Sequence, residues 1–115
     1  MFFDSKQFAV MRSGLNGLAL QQETILHNLA NLDTPGYKAK SVSFSNLLSE
    51  SKNKYDLKAH IYTDDATSIR PDGNNVDADT ESLKLYQNYV QQLYLYQKIS
   101  GQFSNLRYVM NQSAK

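Results

Sequence analysis

Residues 30–40 read ANLDTPGYKAK and mark the point at which the chain changes character. Pro35 has no amide hydrogen, would clash with the carbonyl four residues back, and pushes the preceding residue out of the helical region. A helix that enters this stretch must therefore end at or before Asp33. Pro35 and Gly36 suit the centre of a type II turn, because glycine accepts the positive φ of its second position. We expect Tyr37 to pack back onto the helix while its hydroxyl reaches a polar partner.

Both flanks of this stretch carry helical periodicity. Residues 5–32 and residues 81–112 each place apolar side chains at alternating three- and four-residue steps, which predicts two amphipathic helices. Ser5 is a candidate N-cap for the first helix, and Asp79 or Thr80 for the second. The stripe residues expected to pack helix on helix are Leu15, Leu18, Ile25 and Leu29 on the first, facing Tyr89, Tyr96, Ile99, Phe103 and Leu106 on the second.

Charge is concentrated between the helices. Residues 33–81 hold 15 of the 23 charged side chains, whereas the non-apolar helix faces are rich in Gln, Asn and Tyr. Uncharged amides and tyrosines are less costly to desolvate than ions, so we expect these faces to meet other protein. Within the loop-rich insert, residues 41–50 suit a short helix or strand, residues 57–63 alternate as a strand does, and Pro71-Asp72-Gly73 predicts a turn.

The composition excludes several classes of function. Leu, Ile, Val and Phe make up 28 of 115 residues, so the core is thin and oligomerisation is expected to add stability. There is no cysteine, and a net charge of +1 without a Lys/Arg cluster argues against nucleic-acid binding. The N-terminal stretch lacks the pattern of a cleaved signal peptide, and no run approaches transmembrane length.

No set of residues suits catalysis or metal binding. His27 and His60 lie far apart, and no zinc spacing, nucleophile elbow or phosphate loop is present. Both calcium-loop frames that start within residues 72–81 fail at an obligatory position. We therefore expect no catalytic residue, no metal and no cofactor.

The longer string NLANLDTPGYKAK, residues 28–40, resembles the N-terminal signature of the axial proteins of the bacterial flagellum, the rod and hook family. DGNNVDADTES, residues 72–82, is similar to the stretch that precedes the C-terminal helix in proximal-rod subunits of that family. The short insert also matches the proximal-rod members, since hook and distal-rod members carry large inserted domains. The matching signature residues are Ala30, Asn31, Thr34, Pro35, Gly36, Tyr37 and Lys38.

The resemblance implies a mainly α fold. Residues 1–115 would form a single rod-subunit domain in which helices 5–32 and 81–112 pack as an antiparallel, coiled-coil-like hairpin. Residues 33–80 would hold the signature turn and a loop-rich insert with room for short β-strands. We expect the isolated subunit to be weakly folded and to gain helix on assembly.

The resemblance also implies a function. Copies would stack helically into the hollow periplasmic rod, which transmits torque and passes exported subunits, next to neighbouring rod subunits, the inner-membrane ring and its rod adaptor. Export would use the flagellar type III apparatus without a cleaved signal, and Phe44 and Leu48 match its gate-recognition motif. Membrane insertion and nucleic-acid binding are not implied. The residues alone leave open plain packing roles for Phe44 and Leu48, another proximal-rod paralogue, a helical-hairpin adaptor and a cell-wall hydrolase.

Overall fold

Two helices and a two-stranded antiparallel sheet build the fold. In chain order they are α1 (Lys6–Ala30), β1 (Lys40–Asn46), β2 (Leu57–Thr63) and α2 (Ala78–Ser113). The computed structural model describes residues 6–46, 57–65 and 70–113. Gln102 bonds to Gln7 at one end of the helix pair and Asn28 to Glu81 at the other, so α1 and α2 run antiparallel. The predicted mainly helical hairpin is confirmed, and the insert does contain short strands.

The first helix ends slightly earlier than its apolar pattern predicts. α1 ends at Ala30, two residues before the expected bound at Leu32, and therefore well before the proline. Its last turn tightens, because the Leu32 amide donates to the Leu29 carbonyl at 3.3 Å instead of to the carbonyl four residues back. The candidate cap Ser5 lies outside the described residues.

The second helix begins earlier than predicted and uses a different cap. α2 begins at Ala78, and its N-terminal hydrogen bonds are to Asp77, not to Asp79 or Thr80. The Asp79 amide donates to Asp77 Oδ1 at 3.1 Å, and the Thr80 hydroxyl donates to Asp77 Oδ2 at 2.8 Å. All three side chains are good caps, so the sequence pattern could not choose among them; the backbone path into the helix does.

The Asp77 cap makes the start of α2 sensitive to acid. Hydrogen bonds from the Thr80 hydroxyl and then from the Asp79 amide lower the pKa of the Asp77 carboxyl. A carboxyl whose pKa is lower in the folded state adds stability above its unfolded pKa of about 3.9, and that stability is lost as pH falls through the folded value. We expect Asp77→Asn, which can still cap the helix, to reduce the loss of helicity that accompanies a fall in pH. Circular dichroism measures this.

Asp77→Ala is the companion variant, since it removes the cap together with the charge. It should lower the stability of α2 at neutral pH as well as at acid pH. If Asp77→Asn lost helicity at acid pH as the unaltered chain does, other groups would control the acid sensitivity.

The seam between the helices is more polar than its apolar pattern suggested, and this corrects the predicted stripe on α2. Tyr89 and Tyr96 are 62% and 56% exposed, and Phe103 is 40% exposed. At each point the residue that faces α1 is one position earlier. Amides occupy two of these three seam positions, so a search for apolar side chains selected the residue that follows each of them. The seam stripe consists of Glu81, Leu85, Asn88, Gln92, Leu95, Ile99, Gln102 and Leu106.

Hydrogen bonds between amides set the register of the two helices. Asn88 is buried, and its Nδ2 donates to the Leu18 carbonyl and to Gln21 Oε1, each at 2.9 Å. A buried amide that is satisfied in one register only would be left unpaired by a slip, so these contacts favour one alignment. Further pairs across the seam are Gln92 to Gln22 at 2.9 Å and Gln102 to Gln7 at 3.0 Å.

The apolar stripe on α1 is placed largely as predicted, although its partners differ. Leu18 and Ile25 are buried, and Leu15 and Leu29 are half-buried. Ile25 lines a small cavity with residues of β1 and with Glu81, at the opposite end of the hairpin from Ile99 to Leu106. The antiparallel register explains this, because the C-terminal half of α1 meets the N-terminal end of α2.

The two-stranded sheet of β1 and β2, which we call the β-ribbon, packs on α1 through a close contact at Gly17. A Cβ added to Gly17 would lie 2.2 Å from Phe44 Cε1, so the glycine gives the Phe44 ring the space to rest on the helix. Of residues 41–50, for which the sequence left a helix or a strand open, residues 41–46 belong to β1 and residues 47–50 lie outside the described residues. Residues 57–63 form the predicted strand.

The contact between Gly17 and Phe44 predicts a measurable coupling. In a Phe44→Ala background, Gly17→Ala should stabilise α1 by about 1 kcal/mol, because alanine is the better helix former. With Phe44 present, the added methyl must displace the ring, so the gain should vanish or reverse. A double-mutant cycle followed by urea unfolding gives the coupling energy. Equal effects in both backgrounds would contradict the contact.

Candidate functional site

Three buried asparagines join α1, the signature turn and the start of α2. Asn28, Asn74 and Asn75 lie where the ends of these segments meet, and Asn28 and Asn74 have no exposed surface. Together with the backbone of residues 31–40, they form what we call the amide junction.

The signature turn has the predicted form. The Tyr37 amide donates to the Thr34 carbonyl at 3.3 Å, and Gly36 between them has a φ of 72°. A residue with a Cβ would be strained there, which explains the glycine. The Gly36 amide points away from the turn and donates to the Asp72 carbonyl at 2.9 Å, so the signature turn is held against the loop that precedes α2.

The polar residues around the turn bind backbone groups. Asn31 Nδ2 donates to the His27 carbonyl at 2.8 Å, just beyond the exposed Ala30, and the Thr34 hydroxyl donates to Asn31 Oδ1 at 3.1 Å. Lys38 Nζ donates to the Gly73 carbonyl at 2.7 Å. These signature side chains therefore stabilise the end of α1 and its contact with the second loop.

Asn74 covers the C-terminal end of α1. Its Nδ2 lies 3.0, 3.1 and 2.8 Å from the carbonyl oxygens of Asn31, Leu32 and Thr34. Its Oδ1 accepts from the Val76 amide at 2.8 Å. These carbonyls lie just beyond the last residue of α1, so one side chain from a distant loop joins the end of the helix to the signature turn.

The loop that carries Asn74 and Asn75 is shaped by the predicted turn. The Gly73 amide donates to the Arg70 carbonyl at 3.0 Å, and Gly73 has a φ of 85°. Asn75 Oδ1 accepts from the Ala39 amide at 2.6 Å, and Asn75 Nδ2 donates to the Asp64 carbonyl at 2.8 Å. The loop thus binds the signature turn and the end of β2 at once.

Asn28 is the central member of the amide junction. Its Nδ2 donates to the Lys40 carbonyl at 2.7 Å and to Glu81 Oε2 at 3.1 Å. Its Oδ1 accepts from the Lys40 amide at 3.0 Å and from the Tyr37 hydroxyl at 2.9 Å. All four bonds that an amide side chain can make are formed, which is why it can be fully buried.

Tyr37 packs back onto α1, as predicted. Its ring lies 5.8 Å from the His27 ring, and its hydroxyl is 2.8 Å from His27 Nδ1 as well as bonded to Asn28. Burial, followed by the nearby negative charge of Glu81, raises the pKa of the Tyr37 hydroxyl, so the group stays neutral and available as a donor at physiological pH.

Sequence reasoning found one half of this site. The seven signature residues do come together around the turn, whereas Phe44 lies apart on the ribbon and Leu48 lies outside the described residues. It did not assign a role to Asn74, and it placed Glu81 only at the start of the second helix, although both lie within a string that resembles the flagellar family. Asn28 and Asn88 were expected on faces that meet other chains, and both are instead buried within this one.

The amide junction uses its polar groups to join segments. Over the described ranges 6–46, 57–65 and 70–113, no cluster of three His, Cys, Asp or Glu side chains could hold a metal ion. Within the same ranges neither helix is long and apolar enough to cross a membrane. What the junction does is to hold two helices and a ribbon in one fixed arrangement.

The exposed surface of α2 beside its contact with α1 is apolar. Residues 85–97 contain no charged side chain, and this stretch carries what we call the tyrosine face, formed by Tyr86, Tyr89, Leu93, Tyr94 and Tyr96. All five side chains are exposed. Exposed, uncharged aromatic surface of this kind is typical of protein interfaces.

Comparison with known proteins gives the family. The profile of the family described as "Flagella basal body rod protein" matches residues 8–38, which cover most of α1 and the signature turn. Flagellar basal body rod protein FlgB of Bacillus subtilis (strain 168) is 33% identical over 115 aligned positions, covering 87% of this chain and 89% of the relative.

Two further relatives carry the same name. FlgB of Borreliella burgdorferi is 35% identical over 98 positions, covering 64% of this chain and 73% of the relative. FlgB of Escherichia coli (strain K12) is 26% identical over 122 positions, covering 86% of this chain and 88% of the relative. Because the Bacillus subtilis relative is 33% identical along most of both chains, this chain belongs to the flagellar basal body rod protein family.

Proposed function

We infer that this chain, a structural subunit of the flagellar basal body rod, assembles through the tyrosine face of α2. The observation that carries the proposal is the exposure of that face on an uncharged stretch of helix. Burying apolar surface contributes about 25 cal/mol per Å², so contacts between subunits would add stability that the thin internal core does not supply. The isolated subunit should accordingly be weakly folded and should gain helix on assembly.

The finer parts of the proposal follow from the family. We propose that residues 1–115 act as one rod-subunit domain that stacks helically with its own copies and with neighbouring rod subunits. The hollow rod would cross the periplasm from the inner-membrane ring and its adaptor, transmit torque and pass exported subunits. The role is structural and not catalytic. The signature residues Ala30, Asn31 and Thr34–Lys38 would serve it by keeping the amide junction intact.

Assembly through the tyrosine face can be tested with two matched charge substitutions. Tyr89→Glu places a carboxylate in the face, whereas Gln91→Glu places one at an exposed position outside it. We expect Tyr89→Glu to abolish motility and to be absent from purified basal bodies, while Gln91→Glu supports both. Circular dichroism should show equal helicity for the two purified subunits. A motile Tyr89→Glu strain would overturn this face as the assembly surface.

We further propose that Phe44 has two uses, as part of the type III gate-recognition motif during export and as a packing side chain on Gly17 afterwards. Phe44→Ala and Leu48→Ala should then both reduce secretion of the subunit through the flagellar apparatus. Normal secretion of both variants, with loss of stability in purified Phe44→Ala, would leave Phe44 with a packing role alone.

A further inference from the structure

The two helices differ in length, and the longer one carries an exposed apolar end. Gln7 lies opposite Gln102, so residues 103–113 of α2 continue past the level of the first described turn of α1. At a rise of 1.5 Å per residue this is about 16 Å of helix. Its side chains Tyr108, Val109 and Met110 are all more than half exposed.

A complementary surface lies toward the other end of the same hairpin. Leu26 of α1 and Leu85, Tyr86 and Tyr89 of α2 line an open furrow between the helices. Leu26 and the two tyrosines are exposed. The furrow lies beside the tyrosine face and shares two of its residues, so it is continuous with the surface proposed for assembly.

Charge favours one relative orientation of two copies. The charged residues of α2 beyond Lys84 are Lys98 and Arg107, both cations, and Arg12 lies on the facing part of α1. The furrow lies near Asp79, which precedes Ser82, one of its lining residues, by one helical turn. With two parallel copies offset by about 22 residues, Lys98 of one copy comes level with residue 76 of the next, beside Asp77 and Asp79, whereas antiparallel copies would bring the two Lys98 side chains together.

We propose that the exposed end of α2, residues 107–110, docks into the furrow at Leu26, Tyr86 and Tyr89 of a second copy. This rests on the proposed function and names the two surfaces that meet. The copies lie parallel, with a stagger of about 33 Å set by the roughly 22 helical residues between the two surfaces. The two surfaces differ, so the contact is heterologous and repeats along an open helical assembly.

Engineered disulfides test this contact cleanly, because the chain has no cysteine. In Tyr86→Cys/Val109→Cys the two sulfurs are about 35 Å apart along one helix, so they cannot bridge within a chain. Oxidation of the concentrated subunit is expected to give a ladder of covalent oligomers on a non-reducing gel. The matched control is Gln91→Cys/Val109→Cys, since Gln91 points about 140° away from Tyr86 around the helix axis. It should give no ladder.

Other outcomes overturn the proposal. An absent ladder, an equal ladder from the Gln91 control, or dimers from Tyr86→Cys alone would each exclude the head-to-tail contact. Bridges that form only after another rod subunit is added would assign the furrow to a different partner. Circular dichroism establishes that each variant keeps its helicity. Motility and presence in basal bodies are scored separately, so a rod subunit without this contact is distinguished from a chain that is absent from the rod.

The charge argument has its own test. Lys98→Glu in the Tyr86→Cys/Val109→Cys chain should reduce the crosslinked fraction several-fold, and adding Asp79→Lys should restore it. The wild-type pair of charges should also lose its effect at high salt, because exposed charges are screened. Failure of the charge swap to restore crosslinking would show that the orientation is not set by these two residues.

Discussion

Asn74→Asp is expected to lower the free energy of unfolding by about 3 kcal/mol or more, although it replaces a single NH₂ group by oxygen. Asn74 Nδ2 lies within 3.1 Å of the carbonyl oxygens of Asn31, Leu32 and Thr34. A carboxylate in its place directs negative charge at three carbonyl oxygens and removes one donor from each, so they keep only the Thr34 amide, the Arg70 guanidinium and the Tyr37 amide, respectively. The end of α1 and the signature turn should loosen together.

The measurement is a urea titration in a stabilising osmolyte, followed by circular dichroism, since the isolated subunit is expected to be marginally folded. Asn105→Asp, at an exposed position of α2, is the matched control and should change stability by no more than about 0.5 kcal/mol. The defect should shrink at acid pH, where the introduced carboxyl is protonated and can donate one bond. A pH-independent or negligible loss would contradict the assigned role of Asn74.

Asn28→Leu keeps the branched shape of the side chain and is expected to cost about 3–5 kcal/mol, because it leaves Oε2 of the buried Glu81 carboxylate without its amide donor. The amide and carbonyl of Lys40 lose their partner as well, so β1 is released from α1. Asn16→Leu, at an exposed position of the same helix, should change stability by no more than about 0.5 kcal/mol.

A second substitution shows where the cost of Asn28→Leu arises. Removing both partners of a buried polar pair is often less harmful than removing one. Asn28→Leu/Glu81→Leu should therefore be more stable than Asn28→Leu alone, and the cycle should give a coupling energy between residues 28 and 81. Additive losses would show that Glu81 does not depend on Asn28.

The amide junction explains why a rod subunit would keep polar residues in its small core. Among the described residues, Leu18, Ile25, Val42 and Val76 are the buried apolar side chains, fewer than the six buried polar ones. Apolar contacts tolerate small slips, whereas Asn28 and Asn88 are satisfied by particular partners only. A chain that repeats in an assembly needs each copy to have the same shape, and a saturated polar network favours one arrangement.

Prediction from the sequence succeeded where a single short segment controls the structure. Both helices, the strand at residues 57–63, the helix end before Pro35 and the positive φ of Gly36 all follow from local steric and periodic rules. It failed at the α2 seam, where the amides at 88 and 102 occupy positions that an apolar pattern assigns to Tyr89 and Phe103. A buried amide and an exposed one have the same local signature.

The sequence by itself therefore determined the two helices, the turn that separates them and the family to which the chain belongs, because these depend on residues close together along the chain. Only the tertiary structure decided which asparagines are buried and which face of α2 meets α1. Those outcomes depend on hydrogen bonds between groups 50 to 70 residues apart, such as Asn28 with Glu81 and Asn88 with Leu18. Whether such an amide is satisfied depends on where its distant partner lies, and neither residue alone specifies that.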